Sequence, residues 1–417
     1  MNREAAPLRY EPRDVLHLWW LGRPNAPMLI GDLQFVRTLR GVSLRYDAHW
    51  LKHGFPLSED LPLITQEFMP TGKDLAVGAV DDARPDRWGE RVIKFVDRPG
   101  RTSLMEFLFL AGDDRFGALS VSVSRDEYQP RRLGPLPQMS DVQDIHAVVQ
   151  KVMAGEPVAE GLKRLITPGV AMGGARPKAL LSIDGHPWVV KFSENGEALD
   201  APLIEHASMT LSALAGIRTA QTLPIPLRQG HAVAVKRFDR LADGCRLHAL
   251  SAHVALSAAG EDMGYPELAQ LLRRRGPVRQ GVSKAHMREL FRRMVFNILI
   301  DNTDDHEKNH ALLMTDTGDY ELSPAFDVLP TGQALGYQQM RVGRDGTVSS
   351  LGNALSDVNQ FGLSPKDAQE DVKRVARVVD GWQAHFAACG VTAAHIALLG
   401  EQIDRAELLA QRQAFAS

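Results

Sequence analysis

The stretch Asp301-Asn302-Thr303-Asp304-Asp305-His306-Glu307-Lys308-Asn309 decides how this chain is to be read. It follows a strongly apolar helical run, Phe291 to Ile300, and places Asp304 and Asn309 five positions apart. Phosphoryl-transfer catalytic loops of the kinase type use that Asp-x4-Asn spacing. There the Asp accepts the proton of the attacking hydroxyl and the Asn holds a Mg2+. The same residues also spell His306-Glu307-Lys308-Asn309-His310, an H-E-x-x-H, whose chemistry would be zinc hydrolysis. Two readings claim the same atoms, and the rest of the chain has to separate them.

A zinc site of this kind needs a helix through the motif, so that both His face the metal one turn apart. The flanks oppose it. Asp301 to Asp305 is a turn-forming cluster, and Ala311-Leu312-Leu313-Met314 leads into a hairpin. The phosphoryl-transfer reading needs further parts, and they occur in order. Gly169 to Ala175 is a glycine-rich turn, with Gly173 and Gly174 at its centre. Lys191 ends the apolar strand Trp188-Val189-Val190, and Glu205 sits on the next helix as the carboxylate to orient it. After the hairpin comes Asp327, set among Phe326, Val328 and Leu329, where an Asp is costly to bury unless paired or bound to metal. Taken singly, a strand-end lysine snorkels, a helix-start glutamate is solvated, and an Asp makes a turn. The order of the parts is more specific than any one of them.

Composition bounds the rest. With 417 residues, the chain has room for two or three domains. A formal net charge of −3 gives no case for attraction to nucleic acid or membrane. The run Arg273-Arg274-Arg275 is locally basic and reads as a solvated face. Cys245 and Cys389 are too few for a disulfide framework and suit a reducing, cytoplasmic setting. Met1 to Asp14 lacks the apolar core of a signal peptide, and no stretch reaches membrane-spanning length.

Periodicity predicts strands at Val15–Gly22, Leu33–Thr38, Val42–Tyr46 and Leu119–Val123, with helices at 82–96 and 103–110. Tyr128 to Gln138, rich in Pro and Arg, reads as a linker, and 141–154 as an amphipathic helix. Strands follow at 179–183, 188–192 and 232–238, the first two joined at Asp184-Gly185. A helix spans Leu203 to Ala215, with an acidic residue in its first turn. Long helical runs cover 284–300, 366–389 and 393–413, broken by a hairpin at Ala311–Pro324. The expectation is an α+β fold. A unit at 15–125 precedes a second at 140–417, itself a strand-rich lobe (140–245) followed by a helical lobe (246–417).

These motifs resemble the HipA family, bacterial serine/threonine kinases that act as toxins of toxin–antitoxin pairs. Thr303 to Asn309 is similar to the family's T-D-x-H-x-K-N, and Leu322-Ser323-Pro324-Ala325-Phe326-Asp327 to its L-(S/T)-P-x-(Y/F)-D. Gly173 to Ala179 resembles its glycine-loop signature, and Arg237-Phe238-Asp239-Arg240 its R-F-D-R. Ala83 to Trp88 and Asp114 to Leu119 resemble motifs of its N-terminal subdomain. The resemblance implies a bilobal protein-kinase-like fold with an added N-terminal α+β subdomain and a mostly helical C-terminal lobe. It also implies ATP and Mg2+ as cofactors. Asp304 would be the base, Asn309 and Asp327 would bind Mg2+, and Lys191, oriented by Glu205, would hold the phosphates. Gly173 and Gly174 would cover the nucleotide, the backbone from Lys236 to Phe238 would meet adenine, and His306 would line the loop. Implied partners are a helix-turn-helix antitoxin (HipB-like), a protein substrate among translation components, and DNA only through the antitoxin. Two departures stand out: Lys236 replaces a frequent family Glu, and Gly169 to Met172 lacks the serine through which family members silence themselves, leaving Thr167 as the nearest hydroxyl. A kinase-shaped co-repressor and an H-E-x-x-H zinc hydrolase are the alternatives.

Overall fold

The structure, a computed structural model, describes residues 11–131, 134–166, 168–169, 174–279 and 281–416. It opens with an antiparallel sheet of β1 (Val15–Trp20), β2 (Met28–Val36), β3 (Gly41–Tyr46), β4 (Glu67–Phe68) and β5 (Leu119–Ser122), in the order β4-β3-β2-β1-β5. Three helices accompany it: α1 (Ala48–His53), α2 (Arg87–Val92) and α3 (Leu104–Leu110). The helix expected at 82–96 starts only at Arg87. Pro85 restricts the residue before it, and the Asp86 carboxylate caps α2 by accepting from the Gly89 N–H at 2.8 Å. Ser103 and Glu106 close a capping box on α3, where the sequence places its start.

Next come α4 (Val142–Ala154) and a second antiparallel sheet of β6 (Lys178–Ile183), β7 (His186–Lys191), β8 (Thr222–Pro226) and β9 (His231–Lys236), in the order β6-β7-β9-β8, with α5 (Ala201–Leu214) between β7 and β8. Asp184 and Gly185 both have positive φ, 51° and 76°, as the tight β6–β7 hairpin requires. The α4 stripe Val142, Ile145, Val148, Val149, Val152 is buried, as its spacing predicts. It packs in a core with Val190, Phe192 and Ala234 of the sheet region and with Trp88 and Val92 of α2. Glu205 is the fifth residue of α5, so the expectation of an acidic first turn does not hold.

The remainder is mostly helical: α6 (Ala252–Ala259), α7 (Tyr265–Arg275), α8 (Val282–Leu299), α9 (Leu351–Ser356), α10 (Pro365–Asp380), α11 (Trp382–Ala388), α12 (Ala393–Ile403) and α13 (Ala406–Ala416). A small sheet of β10 (Ala249–Ser251), β11 (Ala311–Met314) and β12 (Tyr320–Leu322) interrupts it. The run 366–389 breaks at Gly381. The run 393–413 breaks at Asp404, whose carboxylate accepts from Trp382, Gln383 and Arg412. The basic run is no bare patch. Arg274 and Arg275 both pair with Glu59, tying α7 to the N-terminal region. Among the described residues no helix is long and apolar enough to cross a membrane.

The R-F-D-R segment fastens the first sheet region to the second. Arg237 binds both oxygens of buried Asp239 and donates to the carbonyls of Asp114 and Arg115. Arg240 donates to the Gly117 and Arg115 carbonyls, and the Gly117 N–H returns to Asp239 at 2.8 Å. Burial alone would raise the Asp239 carboxyl, but the two guanidinium charges outweigh it and hold the group well below its ordinary range. Removing one member of a buried charged set strands the others. Asp239→Ala is therefore expected to cost about 3–5 kcal/mol, measured by denaturant unfolding, whereas Arg37→Ala, which breaks an exposed pair with Asp14, should cost under about 1 kcal/mol.

Candidate active site

The loop that follows α8 is fixed by side chains that point away from its open face. Asp301 has φ 57° and is fully buried. Its carboxylate accepts from Arg405 Nη1 at 2.6 Å and from the Ala334 N–H at 3.1 Å, and its carbonyl accepts from the Thr331 hydroxyl at 2.9 Å. Asp305 is buried between the Tyr265 hydroxyl and His310 Nε2, the latter at 2.8 Å. Glu307 pairs with His253 at 3.0 Å. With its neighbours pinned, Asp304 is left exposed at the rim of an open cleft of about 490 Å3.

The H-E-x-x-H stretch is not an α-helix. Glu307–Asn309 is a single 3-10 turn with extended backbone at His306 and His310. His306 Nδ1 accepts from Lys308 N–H at 3.2 Å while His310 serves Asp305, so the two imidazoles do not share a helix face. The geometry that a zinc reading needs is missing, and that alternative falls.

Asp327 comes into the same cleft from beyond β12, also with a left-handed backbone, φ 59°. One of its oxygens accepts from Lys191 Nζ and the other from the Gly174 N–H at 3.1 Å. Lys191 Nζ also donates to Glu205 Oε1 at 2.7 Å, deep beneath the cleft floor. Burial pushes each of the three toward its neutral form. For Asp327 the Lys191 ammonium wins, and the carboxyl stays well below its usual range. The two carboxylates in turn hold Lys191 above its usual value. Burial prevails at Glu205, which is raised. Asp304 is raised as well, by partial loss of water and then by the negative charge of Asp327, against the pull of His306.

Asp304, Asn309, Asp327 and Gly174 thus line one cleft. Asn309 Nδ2 donates to the Asp304 carbonyl at 3.4 Å, and its buried Oδ1 has no partner among the described residues. An amide oxygen left unpaired suits a hard cation that takes oxygen ligands. Lys191 and Glu205 lie behind Asp327 rather than on the lining. Lys236 closes β9 opposite Trp188, and the Phe238 ring packs 5.5 Å from that of Phe326 and 5.9 Å from that of Phe116. Among the described residues, neither these two nor His306 lines the cleft. Gly173 and Thr167 lie outside the described residues.

Asp86 and Lys178 fall inside motif stretches named from the sequence, but no role is assigned to them there. Buried Lys178 donates to Asp86 Oδ2 and to the Gly174 carbonyl, and Trp88 Nε1 donates to the Lys178 carbonyl at 2.7 Å. Asp86 thereby connects α2 to the glycine turn, and through the Gly174 N–H to Asp327. The available signal was a lysine entering an apolar strand two residues before Leu180, opposite the equally apolar Trp188-Val189-Val190.

Residues 170–382 match the HipA-like C-terminal domain, and residues 27–122 match the HipA N-terminal domain. The chain belongs to the HipA family. A Sinorhizobium fredii protein named as a kinase, Y4mE, is 25% identical over 410 residues, covering 90% of this chain and 86% of that one. The serine/threonine-protein kinase toxin HipA of Shewanella oneidensis is 22% identical over 343 residues, 75% of each. The fold is that of HipA in the Shewanella oneidensis MR-1 toxin–antitoxin complex of HipA, HipB and operator DNA. That likeness has a TM-score of 0.65 and 19% identity, and covers 96% of this chain and 97% of that one. The α+β, kinase-like architecture expected from the motifs is therefore the one observed.

Asp86 serves two partners through different oxygens, which makes its variants separable. Asp86→Asn keeps a good cap and loses the charge facing Lys178. Asp86→Ala loses both and should be less stable than the Asn variant by about 1 kcal/mol in thermal or urea unfolding.

Proposed function

We propose that this chain is an ATP- and Mg2+-dependent protein serine/threonine kinase, the toxin of a HipA/HipB-like pair. The observation that carries the reading is that Asp304, Asn309 and the Lys191-held Asp327 line one cleft. In this reading Asp304 accepts the proton of a substrate hydroxyl as its oxygen attacks the γ-phosphorus and the bond to the β-phosphate oxygen breaks. Its raised pKa makes it a better proton acceptor than an ordinary Asp. Asn309 and Asp327 would hold Mg2+, which would neutralise charge on the phosphates. Lys191, kept charged by Glu205 and Asp327, holds the nucleotide side of the site in place. The partners of this reading are a helix-turn-helix antitoxin, through which DNA is met, and a protein substrate among translation components, in the cytoplasm. The name and complex of the Shewanella oneidensis protein support the kinase and antitoxin assignments by kinship.

Asp304→Asn keeps shape and removes the basic carboxylate. Transfer of labelled γ-phosphate to a protein acceptor should fall by about 10²–10⁴-fold, with ATP affinity measured by calorimetry nearly unchanged. Undiminished transfer would remove Asp304 from the base role. Wild-type protein that binds an antitoxin but turns over no ATP would instead favour a kinase-shaped co-repressor.

Asn309→Ala and Asp327→Ala should each weaken nucleotide binding in Mg2+ while changing it little in EDTA. If both variants lost affinity equally with and without Mg2+, these residues would not be cation ligands.

A further inference from the structure

Arg176 is the one Lys or Arg among the described residues that line the cleft. The other charged groups of that lining are acidic: Glu194, Glu197, Asp304 and Asp327. A polyphosphate entering such a wall is repelled unless a cation faces it. Lys191 does not suffice, because its ammonium is buried and already held by two carboxylates. Arg176 lies two residues beyond Gly174, whose N–H is bound to Asp327, so the chain delivers it to the Asp327 end of the cleft. Its guanidinium is held by Glu197 at 2.8 Å, in a pair left 27% and 22% exposed. Its positive field reaches both Asp304 on the opposite loop and Glu205 beneath the floor. A partly exposed ion pair costs little to open, and a planar guanidinium fork fits a phosphate as well as a carboxylate.

We propose that Arg176 binds the terminal phosphates of the nucleotide and that Glu197 holds it until the nucleotide arrives. The inference rests on the kinase reading and adds to it a phosphate-binding residue. On nucleotide entry the guanidinium exchanges the Glu197 carboxylate for phosphate oxygens. Glu197 then competes with the ligand for the same donor, and that gives the two partners opposite effects.

Calorimetric titration of the full chain with ATP and with AMP, in Mg2+, tests this. Arg176→Ala should weaken ATP about 10- to 100-fold, the loss of a hydrogen bond to a charged group, and leave AMP, which lacks the terminal phosphates, nearly unchanged. Glu197→Gln should tighten ATP, because it frees Arg176 and removes a negative charge from the cleft. Arg176→Lys should recover part of the ATP affinity, which separates charge from folding. If the pair merely braces the fold, both Ala and Gln variants weaken ATP alike, and the proposal is overturned. An equal loss for ATP and AMP in Arg176→Ala overturns it too. Failure of the wild-type chain to bind any nucleotide would defeat the kinase reading itself.

Discussion

The Lys191 ammonium, buried between Glu205 and Asp327, is the constraint on which the site depends. It joins three elements: β7, α5 and the segment after β12. A buried charge with no partner costs several kcal/mol, whereas a well-coordinated one is tolerated. The three groups therefore fix one another's positions. The second sheet cannot shift against the helical region without exposing or orphaning one of them. The same arrangement aims Asp327 into the cleft and keeps it ionised.

The first sheet region takes part in this arrangement through two separate links. The R-F-D-R cluster locks Asp114 to Gly117 against the end of β9. The Asp86–Lys178 contact reaches the glycine turn itself. Added to these, Trp88 and Val92 of α2 are buried in the same core as α4 and the second sheet. An event that moves α2 would therefore be felt at Gly174 and, across one hydrogen bond, at Asp327. That gives a physical path by which something bound to the N-terminal region could alter the cleft.

Much of this was legible in the sequence because the informative residues obey local rules. The α4 stripe and the Asp184-Gly185 hairpin follow from side-chain period and positive φ. β8 was not legible: Thr222-Leu223-Pro224-Ile225-Pro226 carries two prolines and is admitted only as an edge strand, whose outer N–H groups need no partner. The Asp-x4-Asn spacing singled out Asp304 and Asn309, and both line the cleft. Asp86, Lys178 and Arg176 stayed hidden because their partners are tertiary, and an Asp before a helix looks the same whether or not a buried lysine lies against it. The H-E-x-x-H match shows the converse. A local pattern is satisfied letter by letter, while the turn at Glu307–Asn309 and the burial of Asp305 against Tyr265 and His310 send its two imidazoles to other tasks.

Asp301 and Asp327 share a feature that bears on how the cleft keeps its shape. Both are non-glycine residues with left-handed backbone, at φ 57° and 59°, a conformation that costs of order 1 kcal/mol or more for a side chain. Asp301 is held there by three partners and Asp327 by two. Asp301 is bound by Arg405, Ala334 and Thr331, and Asp327 by Lys191 and Gly174 within an apolar setting of Phe326 and Val328. The two anchors are not equivalent. Those of Asp301 come from Arg405, Thr331 and the Ala334 N–H, none of them on the glycine turn. Those of Asp327 include the Gly174 N–H, a group on the very turn that would cover a nucleotide. A ligand that draws this N–H or the Asp327 carboxylate to itself changes the balance holding that strained residue. The loop after α8 is thus anchored independently of the glycine turn, whereas Asp327 is anchored in part by it.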